Sequence, residues 1–210
     1  MLATLRPALV MILLMTALTG IAYPLAVTWL SQTAFLDRAN GSLIIRDGHV
    51  VGSALIGQTF TSERYFQGRP SATVAPDPAD PSKTVPAPYN AANSAGSNAG
   101  PTAKSLIDRV QTGVAEYRQA NGSAGPVPAD AATTSASGLD PHISPANAAA
   151  QVERVATARD LPPARVRELV AAATEERTLG FLGERRVNVL LLNLALDDEL
   201  KGAQQASAAE

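Results

Sequence analysis

The sequence contains no cysteine. Disulfide staples, thiolate nucleophiles and cysteine-held metals are therefore excluded, while either redox compartment remains compatible. Histidine is nearly as scarce: His49 and His142 are the only two, and neither sits in an HExxH or other paired metal-ligand spacing. An oxygen-only cation site stays open, since carboxylates and carbonyls are plentiful, but no spacing singles one out. Aromatic residues make up 4%, too few for a base-stacking surface. A formal net charge of −2, from 17 basic and 19 acidic residues, offers neither a nucleic-acid face nor an acidic solvating tail. There is no G-x-S-x-G nucleophile elbow and no internal repeat.

Apolar residues are what the sequence has in quantity, at 46%, and they are concentrated at the start. No charged residue occurs from Pro7 to Leu36, and the run from Ala8 to Leu30 reads ALVMILLMTALTGIAYPLAVTWL. A bilayer core of about 30 Å needs about 20 helical residues, so this run is long enough to span. A cleavable signal peptide has a shorter apolar core of roughly 7–15 residues. The small-x-small pattern Gly20-Ile21-Ala22 would suit cleavage, but the apolar run continues past it. A retained transmembrane anchor over residues 1–36 is the expected reading. Thr16, Thr19 and Gly20 are small enough for close helix contacts. Pro24 would break a soluble helix, yet here it lies near one interface with Tyr23 and Trp29. Arg6 and the N-terminal amine flank the other end with no acidic residue nearby. That places the N-terminus in the cytoplasm and the bulk of the chain outside.

Beyond the anchor, Asp47-Gly48 between two β-branched runs predicts strands over 42–46 and 49–56 joined by a type I′ turn. TSERYFQGRPSA reads as one short helical turn leading into an extended Arg69-Pro70 segment. Residues 73–101 read as loop or linker. A helix follows, with Leu106, Ile107, Val110, Val114 and Tyr117 on one face, Thr102 as its cap and Asn121-Gly122 as its stop. After a loose stretch over 120–137, Ser144-Pro145 starts a helix to Arg159 with Ala149, Val152, Val155 and Ala156 as its stripe. Val166, Leu169, Val170 and Ala173 mark another helix after Pro162-Pro163. RVNVLLLNLALD is continuously apolar and suits a strand buried on both faces. The expected fold class is α/β: one N-terminal transmembrane helix, then a small external mixed α/β domain with long loops. That domain covers 37–197, and residues 198–210 form a polar, frayed tail.

SGLDPHIS places His142 two positions after a carboxylate, Asp140. A Ser-His-Asp triad needs the histidine between a nucleophile and an orienting carboxylate, and the proline between these two makes the segment turned. Gly138 and Pro141 shape a turn here, and Ser144 caps the following helix. NSAGSNAGPTAKS looks like a phosphate loop, but Pro101, Thr102 and Ala103 separate Gly100 from Lys104, which the Walker pattern does not allow. An ordinary Gly/Asn/Pro loop is the better reading. Residue chemistry alone thus describes an anchored external α/β module without a catalytic constellation. An anchored hydrolase using Asp140 and His142, and a stand-alone binding module, are the alternatives.

Six separated phrases occur in one order: TGIAYPLA, GSALIGQTF, YFQGRPSA, NSAGSNAGPT, SGLDPHISPANAAAQVERVATAR and LGERRVNVLLLNLALD. Together they resemble KdpC, the C subunit of the bacterial Kdp potassium-transporting P-type ATPase, over most of the chain. The sequence departs from that family's pattern at Ala95, Ala99, Ala136 and Arg185, where the family has glycine, leucine, glycine and proline. The resemblance implies a single-pass inner-membrane subunit whose partners are a potassium-translocating A subunit and an ATP-hydrolysing B subunit, with membrane lipid around it and no nucleic acid. It implies a non-catalytic role in assembly or coupling, with no cofactor of its own, ATP and potassium being handled by the complex. Help with nucleotide binding has been proposed for the family, and it conflicts with an external domain because ATP is cytoplasmic. The phrases mark as candidate partner-contact or motif residues Thr19, Gly20, Tyr23, Pro24, Gln58, Arg69, Pro70, Ser71, Ser97, Asn98, Gly138, Asp140, Pro141, His142, Asn188 and Asn193.

Overall fold

A computed structural model describes residues 2–208, which separate into two units, one ending at Ser53 and one beginning at Ala54. In the first unit, helices α1 (Leu2–Ala17) and α2 (Tyr23–Ala34) are joined without a break by a π-helical turn, Leu18–Ala22. Thr4–Ala34 is one apolar rod of 31 residues with mean hydropathy 2.1 in its most apolar window, none of it buried. At about 1.5 Å per residue it exceeds the roughly 30 Å of a bilayer core. The π turn explains how Pro24 is tolerated. Proline has no N–H and crowds the carbonyl one turn back. The wider turn relieves that crowding, with the Tyr23 N–H reaching back to Leu18 O.

A single turn, α3 (Leu36–Ala39), leads to the antiparallel pair β1 (Leu43–Arg46) and β2 (His49–Ser53). Asp47 and Gly48 both have positive φ, 50° and 77°, as the type I′ turn requires. The second strand stops at Ser53, short of the expected residue 56.

The second unit starts with extended chain and a hairpin, β3 (Val74–Pro76) with β4 (Thr84–Pro86). Composition had marked this region as plain linker, because two three-residue strands rich in proline carry no readable alternation. Helix α4 (Lys104–Asn121) follows, with Ala103 rather than Thr102 at its N-cap position and no side-chain cap, and it is stopped by Gly122 in the left-handed region, φ 59°. Its stripe of Leu106, Val110, Val114 and Tyr117 is only half-buried, and Ile107 is exposed. Gly113 sits within it, where an added Cβ meets nothing closer than Ala132 Cα at 3.8 Å. Gly113→Ala should therefore stabilise the protein by about 0.5–1 kcal/mol, read from the urea midpoint, because alanine loses less backbone entropy in a helix.

A short helix, α5 (Ala129–Ala132), lies in the stretch expected to be loose. After it come β5 (His142–Ile143), α6 (Pro145–Arg159), α7 (Pro163–Ala172), β6 (Thr174–Glu175), β7 (Arg186–Asn188) and α8 (Val189–Ala208). The three short strands form an antiparallel sheet with β7 central, pairing His142 with Asn188 and Glu175 with Arg186. The core combines Phe66 and Ile143 with Val152 and Val155 of α6, Val166 and Val170 of α7, and Val189, Leu192 and Leu196 of α8. Each fully buried side chain of this size contributes about 1.5–3 kcal/mol. Ala148 faces this core, whereas Ala149 faces solvent.

The largest departure from expectation is RVNVLLLNLALD. Only Arg186–Asn188 is strand, and helix α8 continues through the supposed frayed tail to Ala208. Val189, Leu192, Asn193 and Leu196 are buried while Leu191 is exposed, which is helical spacing. Asn188 caps the helix, its Oδ1 accepting the Leu191 N–H at 3.1 Å.

Candidate functional site

The YFQG phrase is extended chain held from both sides by helix side chains. Asn193 on α8 accepts the Phe66 N–H at 2.8 Å and donates to Phe66 O at 2.9 Å. Gln151 on α6 does the same for Gln67, at 2.8 and 3.1 Å. Arg154 donates to Glu63 O and Tyr65 O, and Arg159 donates to Arg64 O. The Arg159 guanidinium also pairs with Asp197 at 2.9 Å and stacks over the Tyr65 ring at 4.7 Å. Two carboxamides and two guanidiniums thus stand where a neighbouring strand would, which satisfies backbone groups that burial would otherwise leave unpaired. Ser62 to Tyr65 forms a hydrogen-bonded turn at 3.2 Å, in place of the expected helical turn. Asn193 was marked by the family phrase. Gln151, Arg154, Arg159 and Asp197 were not, and a buried glutamine in an alanine-rich helix was the available signal.

A second cluster gathers most of the remaining marked residues. Arg69 Nη1 donates to Asp140 Oδ2 at 3.0 Å, and the other carboxylate oxygen accepts the His142 N–H at 3.0 Å and lies 3.2 Å from His142 Nδ1. Ser71 Oγ donates to Gly138 O at 2.7 Å and accepts the Tyr89 N–H at 3.1 Å. The Tyr89 hydroxyl closes the circuit on Arg69 O at 2.7 Å. Pro141 is buried, and its carbonyl accepts the Val189 N–H at 3.0 Å. Asn188 donates to Ala54 O at 2.8 Å. Pro70 and Gln58 are half-buried and line a recess with Ser71 and Tyr89. Ser97 and Asn98 lie apart from this cluster, exposed on their loop, with Asn98 at φ 49°.

Glycine is required at two points of this circuit. A Cβ on Gly57 would stand 2.3 Å from the Tyr89 ring, and one on Gly138, where φ is 68°, would stand 2.6 Å from both Ala95 O and Thr73 Cγ2. Ser144 anchors the following helix: its Oγ accepts the Asn147 N–H and donates to Asp130 Oδ1 at 2.8 Å. Arg69, Asp130, Asp140 and His142 face a cleft of about 300 Å³ together with Glu184, Arg185 and Arg186. Among the described residues no group of three or more His, Asp or Glu side chains is arranged to hold a metal.

Burial and the nearby Asp140 charge push the Tyr89 phenol up to about 12, with Arg69 opposing, so it remains a neutral donor. Burial and then Asp130 push Tyr117 to about 12 in the same way, and its hydroxyl donates to Asn147 Oδ1 at 2.8 Å. For Asp140, burial pulls upward most strongly, but the hydrogen bonds from His142 and Arg69 together hold it below its ordinary 3.8. A depressed carboxylate stabilises the fold above its unfolded value, and that contribution is lost as pH falls through the folded value. Wild-type urea midpoints should therefore drop as pH falls below 3.8, and Asp140→Asn should flatten that part of the profile.

The four marked residues of the first unit fall together at the π turn. Thr19 and Gly20 lie in it, Tyr23 and Pro24 directly follow, and Thr19 Oγ1 donates to Met15 O at 2.7 Å. An exposed apolar rod of spanning length joined to a mixed α/β unit defines a membrane-associated protein. The family described as K+-transporting ATPase, c chain, matches residues 5–198. A potassium-transporting ATPase KdpC subunit from Methylobacterium nodulans is 62% identical over 198 residues, covering 94% of this chain and 98% of the relative. Its counterpart from Rhodopseudomonas palustris is 62% identical over 197 residues, with the same two shares. That from Methylorubrum extorquens is 60% identical over 201 residues, covering 96% and 100%. The chain belongs to the KdpC family and is a subunit of a potassium-transporting ATPase complex.

Proposed function

We propose that this chain is the non-catalytic accessory subunit that stabilises and couples the potassium-translocating A subunit and the ATP-hydrolysing B subunit of a Kdp complex. It uses no cofactor of its own, and ATP and potassium are handled by its partners. In this reading residues 1–36 cross the inner membrane once with the N-terminus cytoplasmic, and residues 37–197 stand outside, followed by a polar tail. The observation that supports it best is the engagement of the Asp140 cluster. Both carboxylate oxygens, the Ser71 hydroxyl and the Tyr89 hydroxyl are directed at the protein's own loops, which is a framework rather than a reacting centre. The hydroxyl nearest in sequence to His142 belongs to Ser144, and it is engaged as a helix cap.

The test is a mild-detergent pull-down of the full chain from potassium-starved cells, with co-purifying proteins identified by mass. Recovery with a P-type ATPase subunit and a large multi-span potassium subunit is expected. Recovery alone, at comparable expression of those proteins, would overturn the reading. Gly20→Leu sharpens it: a Cβ there meets nothing nearer in its own chain than Thr16 Cγ2 at 3.9 Å, so reduced recovery would report a partner helix. His142→Ala should leave potassium-stimulated ATP hydrolysis by the purified complex in place.

A further inference from the structure

The four residues Ala-Asn-Gly-Ser occur twice, at 39–42 and at 120–123, and these are the two places in the sequence where glycine follows asparagine. That pair is especially prone to deamidation, because no Cβ shields the glycine nitrogen from the neighbouring carboxamide. Identical neighbours give both asparagines the same intrinsic reactivity, so the fold decides between them. Asn121 belongs to the last turn of the 18-residue helix α4. Its half-buried side chain is held at both ends: Nδ2 donates to Tyr117 O at 3.0 Å, and Oδ1 accepts from Arg154 Nε at 2.9 Å. Arg154 is itself fixed on Tyr65 O, and the Gly122 N–H is bonded to Arg118 O. Asn40 instead follows the single turn α3 and is exposed. Its Nδ2 donates to Leu36 O at 2.9 Å, and the Gly41 N–H donates to Arg38 O at 3.1 Å. Both bonds depend on a helix of 4 residues, which opens far more readily than a long, packed one.

We propose that Asn40 is a site of spontaneous deamidation, at the joint between the apolar rod and the β1–β2 hairpin, and that Asn121 is protected by its helix. Reaction follows opening of α3, which frees the Gly41 nitrogen and lets Asn40 rotate toward it. Water or hydroxide takes the proton from the Gly41 nitrogen, which forms a bond to Asn40 Cγ. The Cγ–Nδ2 bond breaks and Nδ2 leaves as ammonia, taking a proton back with it, so a succinimide ring remains. Water then opens either ring carbonyl, giving aspartate or the isomer whose backbone runs through the side chain. Either product alters the joint. The new carboxylate replaces the donor to Leu36 O and adds a second negative group on the same turn as Asp37, whose carbonyl holds the Ser42 N–H at 2.8 Å. The isomer also lengthens the backbone beside Gly41, whose carbonyl accepts from Ser53 Oγ at 2.7 Å.

The purified full chain is incubated in detergent at mildly alkaline pH, and timed samples are digested with trypsin and weighed by mass spectrometry. Peptide 39–46 should gain about one mass unit, placed at Asn40 by fragmentation. The gain should be roughly tenfold faster than that at Asn121 in peptide 119–154, a gap of about 1.4 kcal/mol in local opening. In urea, where neither helix persists, the two sites should react at equal rates. Asn40→Gln should abolish the gain in peptide 39–46, because the longer side chain must close a larger and slower-forming ring. Equal rates in the folded protein, faster reaction at Asn121, or no gain at Asn40 over a period in which it reacts in urea would each overturn the inference. So would rates that stay unequal in urea, since the fold would then not be the cause. None of these outcomes depends on the accessory-subunit reading.

Discussion

Asn193→Leu is expected to reduce the unfolding free energy by about 2–6 kcal/mol, the cost of leaving two buried backbone groups unpaired at about 1–3 kcal/mol each. Asn193 is 1% exposed, and the Phe66 ring beside it is fully buried. The carboxamide is the partner of both the Phe66 N–H and the Phe66 carbonyl. Leucine keeps asparagine's branched side-chain skeleton and would suit the apolar stripe of α8, but its methyls are bulkier than the carboxamide, so some overpacking adds to the lost hydrogen bonds. The measurement is urea unfolding of the full chain in detergent, followed by far-ultraviolet circular dichroism. A change below about 1 kcal/mol would mean that water or a shifted neighbour satisfies Phe66. Gln151→Leu attacks the adjacent residue, since Gln151 grips both backbone groups of Gln67. The two substitutions should combine non-additively, because once either grip is lost the segment can move and the other grip loses its geometry.

Gly138→Ala should be comparably damaging, by about 2–6 kcal/mol, combining left-handed strain of about 1–3 kcal/mol with overpacking of about 1–3 kcal/mol. The added Cβ would press on Ala95 O and Thr73 Cγ2, both at 2.6 Å, and on Ser71 Oγ at 3.3 Å. One contact is backbone, and Thr73 is itself 1% exposed, so neither can swing aside. Displacement here would strain the Ser71 bond to Gly138 O and the backbone bond between Ala95 N–H and Ser137 O at 3.0 Å. Both a lower unfolding midpoint and reduced recovery of the complex are expected. Gly180→Ala supplies the comparison. Its φ of 80° is also positive, but a Cβ there meets nothing within 4 Å, so only the backbone strain of about 1–3 kcal/mol applies. If the two substitutions cost the same, the close approach at Gly138 contributes nothing.

Much of this protein was legible from local rules. The charge-free run gave the apolar rod, since spanning length depends only on composition and rise per residue. Asp47-Gly48 gave the hairpin, because its two positive φ values are a property of those residues. Ser144-Pro145 gave the start of α6, because a cap and a first-turn proline act within four residues. Gly122 ended α4 for the same kind of reason. The ordered phrases identified the family over nearly the whole chain.

Non-local contacts decided the rest. RVNVLLLNLALD has enough apolar residues to be buried as strand or helix. The outcome followed from Asn188 capping, and from Asn193 meeting Phe66, a residue 127 positions earlier. Sequence marked Asp140 and His142 as neighbours but not Arg69 as their partner, 71 positions away from Asp140. It marked Gly138 as a turn residue, but only the folded chain brings Ala95 and Thr73 against it. Nor does composition tell an apolar hairpin tip from a core segment, and Leu179, Phe181 and Leu182, exposed between β6 and β7, are as hydrophobic as the residues inside. By itself the sequence determined the apolar rod, the turns, the caps and the family, all of which act over a few residues or survive as phrases. Tertiary structure alone decided which polar groups meet and which apolar groups stay outside, because burial and hydrogen-bond pairing depend on residues far apart in the chain.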